Sequence, residues 1–217
     1  MRKLIYNKIS KDQVSNLKRV EYDGRIFVII SPQEAERAVD FLLTQPILGF
    51  DTETRPAFQR GENYQCSLLQ VATYNNSFLF RLNHIGLCPA IVRLLEDKNV
   101  KKVGLAWQND LLSLHKLGPF EAGTFIDIQE IVKEIGIEDQ SLVKIYANLF
   151  GQRISKADRL SNWERDVLKE SQKLYAAIDA WACIRIYEEV VSLKETGGYQ
   201  LQIISEKNNG KDETNLS

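Results

Sequence analysis

One stretch constrains this chain more than any other: Ile47-Leu48-Gly49-Phe50-Asp51-Thr52-Glu53, an apolar run that stops on two carboxylates separated by one residue. A short run of this kind, preceded by Pro46, reads as the central strand of a sheet. Successive side chains of a strand alternate faces, so Asp51 and Glu53 point the same way. They lie about 6 to 7 Å apart along the strand, close enough to share a cation. Taken alone, the pair also fits a solvated strand end before a turn, so the rest of the chain has to decide.

At 217 residues the chain is long enough for one domain with a substantial core and short appendages. Its 44% hydrophobic and 26% charged content excludes a disordered, collagen-like or coiled-coil protein. No apolar run reaches the roughly 18 to 20 residues that span a bilayer, and Met1-Arg2-Lys3-Leu4-Ile5-Tyr6 lacks the apolar stretch of a signal peptide. The expectation is a protein without membrane association, cytoplasmic, or nuclear in a eukaryote. Cys66, Cys88 and Cys183 are three in number at unrelated spacings, which leaves neither a disulfide framework nor a zinc knuckle and points to reduced core thiols. With 28 basic against 29 acidic residues, no bulk charge advertises nucleic acid, but a local basic rim around an acidic site stays possible.

Residues 1–24 are polar and irregular and read as an arm or an edge element. Arg25 to Ile30 is β-rich and is stopped by Ser31-Pro32-Gln33-Glu34, where Ser31 can N-cap, Pro32 suits the first helical turn and Glu34 completes a capping box. A helix through Leu43 follows, and then the central strand 47–53. Cys66 to Thr73 and Ser77 to Leu82 read as two further strands joined across Asn75-Asn76, an antiparallel meander. From Pro89 the pattern changes: helix to Leu95, strand from Val100 to Ala106, helix from Asn109 to Lys116, a short strand at Phe125-Ile126-Asp127 with Asp127 capping the next helix, and a helix from Leu142 to Phe150. Leu174, Ala177, Ile178, Trp181, Ile184 and Ile186 mark one long buried helix from Lys169 to about Glu195. The domain is expected over residues 25–200, with a polar, flexible tail over 201–217. Strands in a meander followed by strands alternating with helices give an α/β fold, a mixed sheet flanked by helices.

Two more carboxylates fall where this topology brings them to the first pair. Asp110 opens a helix just after a strand, where loops of open α/β sheets gather, although a helix-start acid is also favoured by the macrodipole. Asp179 lies in the apolar interior of the long helix, with Tyr175 four residues earlier on the same face. A buried carboxylate needs a partner, which is a metal ion or Arg185. Four carboxylates without ligating cysteine or histidine specify a hard cation such as Mg²⁺ or Mn²⁺. Clustered acids of this kind commonly hold two ions about 3.5 to 4 Å apart, which activate a water and stabilise the leaving oxygen of a phosphodiester.

At this point the motifs resemble a family. Gly49-Phe50-Asp51-Thr52-Glu53, Val103-Gly104-Leu105-Ala106-Trp107-Gln108-Asn109-Asp110 and Tyr175-Ala176-Ala177-Ile178-Asp179-Ala180 are similar, in this order and spacing, to the three motifs of the DEDD superfamily of 3′-5′ exonucleases. The resemblance is to the tyrosine branch (DEDDy), which includes ribonuclease D and the Werner syndrome helicase exonuclease domain. Ser67-Leu68-Leu69-Gln70 and Ser161-Asn162-Trp163 look like the versions in those two, and the similarity runs over roughly residues 25 to 195. It implies a ribonuclease H-like mixed sheet and a metal-dependent enzyme that removes nucleoside 5′-monophosphates from DNA or RNA 3′ ends. Asp51 would bridge two divalent cations, Mg²⁺ or Mn²⁺; Glu53 and Asp179 would hold the nucleophile-side ion, and Asp110 the leaving-group ion, partly through water. Tyr175 would orient the attacking water. Thr52, Gln70, Trp107, Asn109 and Lys156 are the candidate substrate contacts, Lys156 to a phosphate unless it is a solvated loop lysine.

The chain departs from many proofreading relatives at Ala106, where they carry asparagine, which puts one substrate contact in doubt. His84 and His115 are not at the third-motif position, which excludes the histidine branch. No helicase, polymerase or ribonuclease D helical-repeat region is recognisable, so a stand-alone nuclease domain is expected. Two rival readings are a nucleic-acid-binding or scaffolding domain without catalysis and a phosphodiesterase acting on nucleotides or short oligonucleotides.

Overall fold

The computed structural model describes residues 2–205. Its elements run β1 (Lys3–Tyr6), α1 (Lys11–Ser15), β2 (Lys18–Arg19), β3 (Arg25–Ile29), α2 (Pro32–Leu42), β4 (Ile47–Thr54), β5 (Cys66–Ala72), β6 (Asn76–Arg81), α3 (Leu82–Ile85), α4 (Pro89–Glu96), β7 (Lys101–Gly104), α5 (Trp107–His115), β8 (Phe125–Asp127), α6 (Ile128–Lys133), α7 (Leu142–Phe150), β9 (Gln152–Arg153), α8 (Glu170–Thr196) and β10 (Tyr199–Gln202). Six strands form the central sheet in the order β3-β6-β5-β4-β7-β8. The β4/β5 and β5/β6 pairs are antiparallel, whereas β3/β6, β4/β7 and β7/β8 are parallel. This is the expected mixed α/β sheet, with β4 near its middle.

Local signals start and stop the helices as read. Ser31 and Glu34 form the capping box of α2 with Pro32 in its first turn, and Gly151 and Gly197 end α7 and α8 in the left-handed conformation that only glycine adopts without strain. The strand expected to run to Ala106 ends at Gly104, because Ala106 itself takes φ 52°, ψ 35° and starts α5 two residues early.

The period of two along β4 separates two cores. Leu48 and Phe50 join α2 and α4 on one face, and Ile47 joins α6, α7 and α8 on the other. Gly49 lies on the α8 face: a Cβ there would stand 1.9 Å from the Ala180 carbonyl oxygen, so β4 and α8 meet backbone to backbone.

Of the two expectations for residues 1–24, an arm or an edge element, the structure shows short paired strands and a helix in place of an irregular arm. β1 pairs in parallel with β10 and buries Ile5 completely, α1 carries a capping box of Ser10 and Gln13, and β2 pairs in parallel with β9. The flexible tail expected from residue 201 overlaps β10 at its start, and residues 206–217 lie outside the described ones. Among the described residues no helix is long and apolar enough to cross a membrane.

Candidate active site

Burial along β4 changes at Asp51: the strand is fully covered through Phe50 and only partly from there on. Asp51 and Glu53 emerge on the α8 side, where Asp179 projects from the middle of the buried helix. One carboxylate oxygen from each of the three lies within 4.8 Å of the others. The close approach at Gly49 makes this possible, since it sits two residues before Asp51 and faces the residue after Asp179. Asp110 reaches the group from the first turn of α5. Its Oδ1 accepts a hydrogen bond from the Thr52 hydroxyl, while the Thr52 backbone N–H donates to Asp51 Oδ1 at 2.9 Å. Asp127 caps α6 as expected, accepting from Gln129 N–H at 2.8 Å, and also from Ala106 N–H at 3.0 Å, which pins the turn that aims α5.

Burial raises the pKa of all four carboxylic acids, and repulsion among them adds to the rise at Asp51 and Glu53. Asp51 is pushed well above the usual range, by burial first and then by the charges of Asp179, Asp110 and Glu53. Glu53 rises to about 9 through burial and the Asp179 and Asp110 charges, with Arg159 partly offsetting them. Asp110 rises to about 6 and Asp179 to about 7, both chiefly by burial. The Thr52 hydrogen bond opposes the rise at Asp110, and the Tyr175 hydroxyl and Lys156 oppose it at Asp179. Burial, then the charges of Asp179 and Glu53, hold Tyr175 far above its ordinary range, so it is a neutral phenol.

Such a cluster calls for positive charge, and its chemistry fits a hard divalent cation. All the clustered donors are carboxylate oxygens, and Asp179 Oδ1 is buried without a hydrogen-bond partner. The alternative partner for Asp179 fails: the Arg185 guanidinium lies 5.5 Å from the Trp181 ring centre and 5.7 Å from that of Phe150. The three thiols are buried and free, as expected.

The substrate-contact candidates divide. Asn109 and Lys156 are exposed. Thr52 positions Asp110 and Asp51 through hydrogen bonds. Gln70 is corrected: it pairs with Asp51 across the β4/β5 ladder, is fully buried, and leaves both amide atoms without partners, so it presents nothing to a substrate. Trp107 is engaged in packing, stacked on Phe125 at 5.1 Å with its indole nitrogen enclosed. The sequence reading missed Arg159, which faces Glu53 from the loop before α8. Its nearness to Lys156 in the chain was the available signal.

Comparison with known proteins agrees with this geometry. Residues 26–193 match the model of a 3′-5′ exonuclease domain family. The chain is 29% identical over 156 residues to the mouse bifunctional 3′-5′ exonuclease/ATP-dependent helicase WRN, covering 69% of this chain and 11% of that protein. It is 35% identical over 152 residues to exonuclease 3′-5′ domain-containing protein 2 of Drosophila melanogaster, covering 68% of this chain and 26% of that one. It thus spans about a tenth to a quarter of the length of these curated relatives. The EXO domain of Aedes aegypti Nibbler superposes with a TM-score of 0.73 at 20% identity, over 83% of this chain and 94% of that one, and so shares the ribonuclease H-like fold. A family match across most of the chain, on a fold that clusters three of the four motif carboxylates and ties Asp110 to them through Thr52, means that this chain belongs to the 3′-5′ exonuclease domain family.

Proposed function

We propose that this protein shortens DNA or RNA from the 3′ end, one nucleotide at a time, releasing nucleoside 5′-monophosphates by two-metal-ion hydrolysis. The observation that carries the reading is the cluster of Asp51, Glu53 and Asp179, three oxygen donors within 4.8 Å on two elements, with Asp179 Oδ1 buried and unpartnered. Asp51, Glu53 and Asp179 would hold Mg²⁺ or Mn²⁺ there, with Asp110 beside them. When bound, the ions supply an acidified water and charge stabilisation at the leaving oxygen.

The chain's own residues do the rest. The four carboxylic acids, whose pKa values burial raises, would release protons on ligating the ions, so metal uptake is pH-dependent. Tyr175 donates a hydrogen bond from its hydroxyl to Asp179 and keeps its oxygen lone pairs for the attacking water. As a neutral phenol it orients that water and does not act as the base. Lys156 beside Asp179 and Arg159 beside Glu53 put positive charge where the non-bridging phosphate oxygens would lie.

The test uses 5′-labelled linear DNA and RNA and a circular single strand, each with Mg²⁺ or Mn²⁺. Stepwise shortening of linear strands to nucleoside 5′-monophosphates, with the circle untouched, is expected. Cleavage of the circle, or digestion of strands whose 3′ end is blocked, would overturn the reading.

A further inference from the structure

A groove of about 410 Å³ lies between α1, the start of α7 and β9, and Lys11, Lys144, Arg153 and Lys156 line it over an apolar floor that includes Val14 and Ile154. No carboxylate is among its lining residues, in a chain with 29 acidic residues against 28 basic ones. Lys144 is held by the buried Asp139 at 2.9 Å, but Lys11, Arg153 and Lys156 make no ion pair among the described residues. Arg153 is fixed in place by its Nε, which donates to the Leu17 carbonyl at 2.9 Å. β2 and β9 also pair in a register that sets Arg19 beside Arg153. Like charges side by side on a sheet repel, so this register suits a surface whose charge an anion neutralises.

The groove leads to the reaction centre. Lys156 of its lining is near enough for its charge to act on Asp179, and Ile154, which lines the groove, also bounds a second cavity of about 180 Å³ together with Tyr175 and Ile178 of α8. Its far wall, α1, and the strand β2 precede residues 26–193, the part that the exonuclease family model matches.

We propose that this groove binds the phosphodiester backbone of the single-stranded nucleic acid upstream of the 3′-terminal nucleotide, with α1 contributing one wall through Lys11. Spaced cations over an apolar floor match a chain of phosphates whose sugars and bases have apolar faces. This inference rests on the exonuclease reading, and adds that the residues before the matched domain favour long substrates over short ones.

Lys11→Glu is compared with Lys98→Glu, the same charge reversal at an exposed residue in the turn between α4 and β7. Each is assayed on a 12-nucleotide single strand and on a dinucleotide. For Lys11→Glu the KM of the 12-mer should rise about fivefold or more, with its kcat and dinucleotide hydrolysis within twofold of the parent. In an Asp51→Asn background, the slope of log Kd for the 12-mer against log salt should become shallower by about 0.7. Lys98→Glu should change none of these. Equal behaviour of the two reversals, or a Lys11→Glu protein that matches the parent on the 12-mer, overturns the groove. A parent protein that cleaves neither substrate instead overturns the exonuclease reading on which the groove rests.

Discussion

Gly49→Ala is expected to disable the enzyme while leaving most of the fold intact. The new Cβ would stand 1.9 Å from the Ala180 carbonyl oxygen, 2.8 Å from its carbon and 3.1 Å from Ile184 Cγ1, and real Cβ contacts essentially never fall below 3.0 Å. β4 and α8 must therefore separate by at least about 1.1 Å, the difference between 3.0 and 1.9 Å, at backbone atoms that cannot turn aside. Overpacking of this kind costs about 1–3 kcal/mol, which at about 2–4 °C per kcal/mol lowers Tm by roughly 2–12 °C in a domain of this size. The larger effect falls on chemistry. Asp51 and Asp179 sit beside the wedge on opposite elements, Mg²⁺ requires oxygen ligands within a narrow distance range, and misplacement by about 1 Å costs around 10²-fold. The assay is 3′-end digestion in Mg²⁺ well below both melting temperatures, with Tm measured in parallel. Gly104→Ala serves as the milder control, because its Cβ would meet the Phe50 carbonyl oxygen at 3.0 Å. Activity of Gly49→Ala within threefold of the parent would refute the claim that this contact sets the spacing of the carboxylates.

Tyr175→Phe should bind cation and substrate nearly as the parent does and lose about 10²-fold to 10⁴-fold in kcat, read by single-turnover kinetics; a loss of only a few-fold withdraws the role in orienting water. Without divalent cations, each raised carboxyl pKa adds stability that is complete below the ordinary carboxylate range and disappears as pH climbs through about 6 for Asp110, 7 for Asp179 and 9 for Glu53. Melting in EDTA from pH 5 to 9 should thus show stability falling with pH. Asp51→Asn, which removes one of the repelling charges, should be inactive yet melt higher than the parent at pH 8, and identical pH slopes for the two would contradict this. Ala106 holds a left-handed backbone at φ 52°, so Ala106→Asn should gain roughly 0.5–1 kcal/mol in urea unfolding while Ala106→Val loses more than about 1 kcal/mol, and equal midpoints for the two would argue against strain at that turn.

What the sequence by itself determined is what local periodicity controls. A strand's period of two places Asp51 and Glu53 on one face, a helix's spacing of four sets Tyr175 beside Asp179, and the Ser31–Glu34 box and Gly151 mark helix ends, because each depends only on neighbours a few residues away. Three such motifs in order were enough to indicate the family. Pairing between distant elements had no comparable signature. Residues 3–6 read only as part of an arm or edge element until they meet residues 199–202 as a strand partner, and Gln70 looks available until the β4/β5 register and α8 bury it next to Asp51. Trp107 finds Phe125, Arg185 turns to the Trp181 and Phe150 rings, and Thr52 ties Asp110 to the cluster. Each of these contacts depends on sheet register and on which helix covers which face, and burial energy set by the whole core decides both.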